Sequence, residues 1–156
     1  MSHLVWTDDL NTGIDVIDGQ HRRIAEYINQ LFDARLKKDR AAIGEVIEST
    51  VDYTLSHFSF EEALMEDVGY AFTRPHKKVH EIFVRRVGEL QMRHRAGDDI
   101  SEELHGLLAR WLFSHIRNDD AAYVRAVEAK MPQLMEPKRE EGGWLSRSLG
   151  RFFGRR

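Results

Sequence analysis

At 156 residues, with 42% hydrophobic and 31% charged side chains, the chain has the size and composition of one soluble globular domain. It contains no cysteine, which excludes disulfides, thiolate zinc sites, iron–sulfur clusters and cysteine catalysis. The net charge of −3 divides unevenly: residues 137–156 carry +4 and the first 136 carry −7, so a mildly acidic domain (1–136) is set apart from a basic tail (137–156).

The opening "MSHLVWTDDL" lacks the basic start and apolar run of a secretory signal. No apolar run approaches the roughly 20 residues of a membrane span, so a cytoplasmic protein is expected. Residues 2–18, "SHLVWTDDLNTGIDVID", are too irregular for a helix and read as an arm draped over one end of the fold. Helical period then sets in. A first helix is expected over 19–38, with His21, Ile24, Ile28 and Leu31 on one stripe. A second follows Asp39, a suitable N-cap, and runs toward Asp67 with Gly69 beyond its end. The third opens near Thr73, a residue able to cap, with Pro75 in the first turn and a stop near Gly97. It turns His76, His80, Phe83, Val87 and Leu90 inward. The fourth starts near Ser101 and carries Leu104, Leu108, Trp111 and His115. Short connections make successive helices antiparallel neighbours, so an all-α, up-down-up-down four-helix bundle is expected.

The inner stripe of the second helix reads Ile43, Ile47, Thr50, Thr54, His57, Glu61, and its last two members do not suit an apolar core. The same anomaly recurs on every helix, through His21, His76, His80 and His115. Asp120 follows His115 by five residues, a spacing that a regular α-helix does not place on one face; a local distortion is needed to bring it in. A histidine pair four residues apart is weak by itself, and a lone histidine on an apolar stripe is ordinarily a hydrogen-bonded core residue. Five histidines and two carboxylates on four inner faces are more economically explained by a shared metal centre, because buried charge is tolerated where it coordinates metal. Imidazole and carboxylate without sulfur suit iron, zinc, copper or nickel. Seven donors exceed the four of a tetrahedral zinc site, and two ions fit the count better. With Glu61, Asp120 and a solvent-derived hydroxide bridging, three histidines fill one ion to six coordination and two leave the other at five. His3, His94 and His105 receive no role; His94 is expected to be solvated and His105 to face outward.

The motifs "GIDVIDGQH" (13–21), "HFSFEE" (57–62), "HKKVHEIF" (76–83) and "WLFSHIRNDD" (111–120) resemble those of the hemerythrin family, in particular its single-domain bacterial members. The run "GYAFTRPH" departs from the family pattern, with Ala71 where proline is frequent and Pro75 directly before His76. The resemblance implies a bundle holding two non-haem iron ions, bridged by an oxo or hydroxo group, that bind dioxygen reversibly. It implies His76, His80 and His115 on the six-coordinate iron, His21 and His57 on the iron with the open position, and Glu61 and Asp120 as bridges. It also places Ile24, Phe58, Trp111, Leu112 and Ile116 around an oxygen pocket, although ordinary core packing would account for all five. The expected function is oxygen storage, buffering or delivery without enzymatic turnover. The alternatives are an oxygen or redox sensor acting through a partner, and a di-iron peroxidase or nitric-oxide-handling protein. A nucleic-acid partner is not expected.

The tail, "GGWLSRSLGRFFGRR", begins with a flexible glycine pair. If helical, it sets Leu145, Leu149, Phe152 and Phe153 on one face with Trp144 at the edge, and Arg147, Arg151 and Arg155 on a flank. Such a segment suits a membrane surface or a protein partner, and equally a solvated tail.

Overall fold

A computed structural model describes residues 3–135, with side chains to Lys130. The arm comes first and contains a 3₁₀ turn, Asp8–Leu10. Helices α1 (Asp15–Leu36), α2 (Arg40–Asp67), α3 (Thr73–Arg95) and α4 (Ser101–Ser114) follow; a π-helical turn, His115–Asp120, then joins α4 to α5 (Ala121–Met135). The fourth rod of the bundle is therefore α4, the π turn and α5 together. The fold is an all-α four-helix bundle. The residues that were expected to form the basic tail, Trp144 to Arg155 among them, lie outside the described part.

Local chemistry sets the boundaries. The Asp39 side chain accepts from the Ala42 amide at 3.1 Å, and that N-cap starts α2. Gly69 and Gly97 follow the ends of α2 and α3 with φ of +67° and +107°, a conformation that L side chains adopt only with strain. There the amides of Tyr70 and Asp98 reach back to the carbonyls of Met65 and Arg93, closing the last turns.

Two boundaries differ from the sequence expectation. The first helix begins at Asp15, four residues early. Asp18, 4% exposed, accepts from the Thr12 amide and hydroxyl, both at 2.7 Å, and from the Gly13 amide at 3.2 Å, so a side chain inside the first turns reaches back five and six residues and anchors the helix start ahead of Gly19. Thr73 does not cap α3: Phe72 holds the N-cap position, and the Thr73 hydroxyl donates to the Tyr70 carbonyl at 2.7 Å. The arm runs along α1, where Leu4 exchanges hydrogen bonds with the Asn29 side chain at 2.7 and 3.0 Å.

Helix α1 packs on α2 and α4, and α2 on α3. Two apolar clusters fill the interior. The larger includes Ile28, Leu31, Ile47, Leu90, Leu104 and Leu108. The smaller, around Ile17, Leu64, Met65, Tyr123 and Val127, closes the end where α1 begins. Between the two lies a layer that is polar and fully enclosed. Among the described residues no helix is long and apolar enough to cross a membrane.

Candidate metal centre

The polar layer draws on the beginning of α1 and α3, the far half of α2 and the π turn at the middle of the fourth rod. Opposed directions of α2 and its neighbours α1 and α3 bring those segments to one level. His21, His57, Glu61, His115 and Asp120 are each 0% exposed, with His80 at 2% and His76 at 6%. All seven residues singled out by the sequence meet here.

Glu61 is the hub. Its Oε1 lies 2.5 Å from His57 Nε2, 3.1 Å from His115 Nε2 and 3.6 Å from His21 Nε2. Its Oε2 lies 3.3 Å from His80 Nε2 and 3.4 Å from His76 Nε2. Asp120 is divided in the same way, with Oδ2 at 2.8 Å from His21 Nε2 and Oδ1 at 3.1 Å from His115 Nε2 and 3.8 Å from His76 Nε2. The donors form two overlapping groups able to hold a cation: His21, His57, Glu61, His115 and Asp120, and Glu61, His76, His80 and His115. Glu61 and His115 belong to both.

The five-residue gap between His115 and Asp120 coincides with the π turn. A π-helix repeats every i to i+5 rather than i to i+4 and so puts both side chains inward; such turns concentrate at functional sites. The residue at the α-helical spacing, Asp119, is left at the outer edge of the same imidazole, with Oδ2 3.6 Å from His115 Nδ1.

The layer is electrostatically unbalanced as a protein interior. Burial works against ionising Glu61, but His57 and His115 outweigh it and hold the carboxyl well below its ordinary range. Burial likewise disfavours charge on His115, yet Asp120 and Glu61 push that imidazole well above its usual value, and His21 follows in the same direction. In His57 burial wins and the pKa falls. The carboxylates thus demand positive charge that the buried imidazoles supply only by binding protons. Many polar atoms, including His21 Nε2, His57 Nε2, His76 Nε2, His80 Nε2, Glu61 Oε2 and both Asp120 oxygens, have no hydrogen bond of good geometry. Inward-facing, unpaired donor atoms of this kind fit a cation and are costly without one.

Four contributors escaped the sequence reading. Gln20 Oε1 sits 2.6 Å from His57 Nδ1; because that oxygen can only accept, Nδ1 carries the proton and the Nε2 lone pair faces the interior. Glu62 Oε1 does the same for His80 Nδ1 at 3.2 Å. Asp119 backs His115. Tyr123 is 0% exposed and its ring lies 5.4 Å from that of His76; burial, with Asp120 and Glu61 nearby, holds its phenol well above the ordinary range. Tyr123 follows Asp120 by three residues, a helical spacing that was a usable signal. Gln20 and Glu62 each adjoin a residue of the seven in sequence and carry no periodic signature.

The five residues expected around an oxygen pocket flank one side of the layer. Ile24, Phe58, Leu112 and Ile116 are buried, and Trp111 is half-buried. Phe58 stacks on His80 with centroids 3.8 Å apart, and Trp111 on His115 at 4.7 Å. His105 corrects an expectation: it is 2% exposed rather than outward-facing, because the buried stripe of α4 is wide enough to include it beside Leu104, and its ring meets Phe32 at 5.5 Å. His94 is half-buried rather than freely solvated, and its carbonyl accepts from Arg40. His3 is exposed and bonded to Asp33 at 2.7 Å.

A family model, the hemerythrin HHE cation binding domain, matches residues 12–127. A bacteriohemerythrin of Pseudomonas aeruginosa is 66% identical over 154 residues, which cover 99% of this chain and 100% of that protein. One of Stenotrophomonas maltophilia is 57% identical over 154 residues, with the same 99% and 100% coverage. The myohemerythrin of Sipunculus nudus is 28% identical over 120 residues, 76% of this chain and 89% of that one. A crystal structure of a hemerythrin leucine mutant superposes with a TM-score of 0.77 at 29% identity, covering 81% of this chain and 98% of the other.

Proposed function

The chain belongs to the hemerythrin family, and from that premise we propose that it binds dioxygen reversibly at a pair of non-haem iron ions in the bundle core, as an oxygen store, buffer or carrier. The observation that carries the reading is the convergence of five imidazoles and two carboxylates, most of whose inward atoms lack partners. His76, His80 and His115 would hold one ion and His21 and His57 the other, with Glu61 and Asp120 shared between them. When bound, the iron pair supplies a redox-active centre able to take up dioxygen and release it.

The side chains of the protein set the conditions for that reversibility. Gln20 and Glu62 fix the rings of His57 and His80 by their outer nitrogens, so little reorganisation accompanies loading. Glu61 turns Oε1 toward His21, His57 and His115 and Oε2 toward His76 and His80, and so would serve both ions. Ile24, Phe58, Trp111, Leu112 and Ile116 offer hydrocarbon and aromatic surface on the side where the gas would sit. A dry wall slows access of the protons and anions that would turn a reversible adduct into a permanent loss of electrons.

The test is spectroscopic. The reduced, iron-loaded protein is expected to gain a visible absorption band in air and lose it on degassing, over repeated cycles. A band that never reverses, or none at all, would favour turnover chemistry or another metal. The basic tail, in this reading, attaches the carrier to a membrane surface or a partner. Co-sedimentation with anionic liposomes, with and without residues 142–156, weighs the membrane alternative.

A further inference from the structure

Two threonines interrupt the inner stripe of α2. Thr50 and Thr54 are buried in the same row as Ile43, Ile47, His57 and Glu61. Each is shorter than an isoleucine, and the neighbouring helices do not fill the difference. Thr50, Thr54 and Leu55 of α2 face Phe83 and Val84 of α3 and Leu108 of α4 across a cavity of about 20 Å³.

Size, polarity and position decide what this space suits. One water-sized sphere itself occupies on the order of 10–15 Å³, so a cavity this small takes a single small molecule and no organic ligand. A buried water needs two to four polar partners. The Thr50 hydroxyl donates its proton to the Val46 carbonyl at 2.6 Å and can only accept from a guest, and Thr54 Oγ1 has no partner; these two oxygens are the polar groups of the lining side chains, and the rest is hydrocarbon. With hydrocarbon on every other side, the lining suits an apolar diatomic, and a water would have no more than the minimum of partners.

Position links the cavity to the histidines. The Phe83 ring that lines it stacks on Trp111 at 4.0 Å, and Trp111 stacks on His115 at 4.7 Å. Phe58 lies edge-on to Phe83 at 5.9 Å and to Trp111 at 5.4 Å, and stacks on His80. A single layer of aromatic rings thus separates the cavity from the polar layer. On the outer side stands Leu55, 42% exposed.

We propose that the cavity between α2 and α3 is a docking site for dioxygen, which enters past Leu55 and reaches the metal centre by displacement of the Phe83–Trp111 ring pair. The site rests on the oxygen-binding reading above for the identity of its occupant. Crystals of the iron-loaded protein under xenon pressure test the cavity directly, because xenon marks dry apolar space. A xenon atom is expected between Thr54, Phe83 and Leu108, and is expected to be absent in Val84→Trp. Stopped-flow mixing of the reduced protein with dioxygen should show association slowed about tenfold in Val84→Trp, with the visible spectrum of the oxygenated form unchanged. Leu55→Trp plugs the mouth without disturbing the core and should slow association likewise. Absence of xenon in the unmodified protein, or an unchanged association rate in both variants, overturns the proposal. Failure of the functional reading looks different: no reversible spectrum in the unmodified protein, with xenon still bound, which removes dioxygen as the occupant.

Discussion

Where α1 and α3 end, the bundle is filled by Ile28, Leu31, Ile47, Leu90 and Leu104, each at most 2% exposed; where they begin, equally enclosed space is filled by imidazoles and carboxylates. The two regions are built on the same four stripes and differ in what their burial does. Each enclosed leucine or isoleucine contributes roughly 1.5–3 kcal/mol as it leaves water. An enclosed carboxylate or imidazole costs several kcal/mol unless its polar atoms are matched. One level of the bundle is complete as a polypeptide, and the other is complete only with something the polypeptide does not contain.

Iron removal is the strongest way to sharpen that contrast. With iron present at about a thousandfold over its dissociation constant, loading should stabilise the fold by about 4 kcal/mol and raise the melting temperature by on the order of 10 °C. Equal melting temperatures for loaded and chelator-stripped protein would mean that the polar layer satisfies itself. The next effect is nearly as large. Leu31→Ala should cost about 3 kcal/mol in denaturant unfolding, equally with and without iron. His76→Ala, by contrast, should lose iron and destabilise only the loaded form. A cost of similar size in the stripped protein would assign His76 to packing. Smaller still, Leu112→Asn should leave iron content intact and speed autoxidation on the order of tenfold, read from decay of the oxygenated spectrum. An unchanged decay would remove Leu112 from the pocket wall.

The smallest effect belongs to the apolar region and to a histidine buried in it, His105. Burial, assisted by Arg35, pushes its imidazole below the ordinary value, and both ring nitrogens lack partners. With the folded pKa depressed, the unfolded chain binds the proton more readily. The stability tied to the neutral ring is therefore present above about pH 6.5 and is lost as pH falls through the depressed value. His105→Phe should remove that part of the acid slope, leaving the variant on the order of 1 kcal/mol more stable at pH 5 relative to its parent. Parallel stability curves for the two proteins from pH 8 to 5 would contradict the assignment.

What the sequence disclosed, and what it hid, follows the same physical division. Apolar periodicity marked the four rods because burial on one helix face is a one-dimensional pattern. The five-residue step from His115 to Asp120 pointed to a distortion because no regular α-helix spans it. The early start of α1 was hidden, since it depends on Asp18 gripping the arm rather than on a cap beside the helix end. His105 was misjudged because the α4 stripe is wider than the minimal repeat. Gln20 and Glu62 hold histidines of neighbouring helices through single hydrogen bonds, and such bonds across elements leave no period to read.

The widened turn has one more consequence. It lets two adjacent aspartates address one imidazole, Asp120 at the inner nitrogen and Asp119 at the outer. The consecutive glutamates of α2 are deployed in the mirrored order, Glu61 inward and Glu62 behind His80. Four carboxylates so arranged equal the formal charge of two divalent cations. A ferrous pair would then enter the low-dielectric interior almost as an electroneutral salt, and the ferrous-ion affinity of a Glu62→Gln, Asp119→Asn double variant measures how far the outer pair supplies that balance.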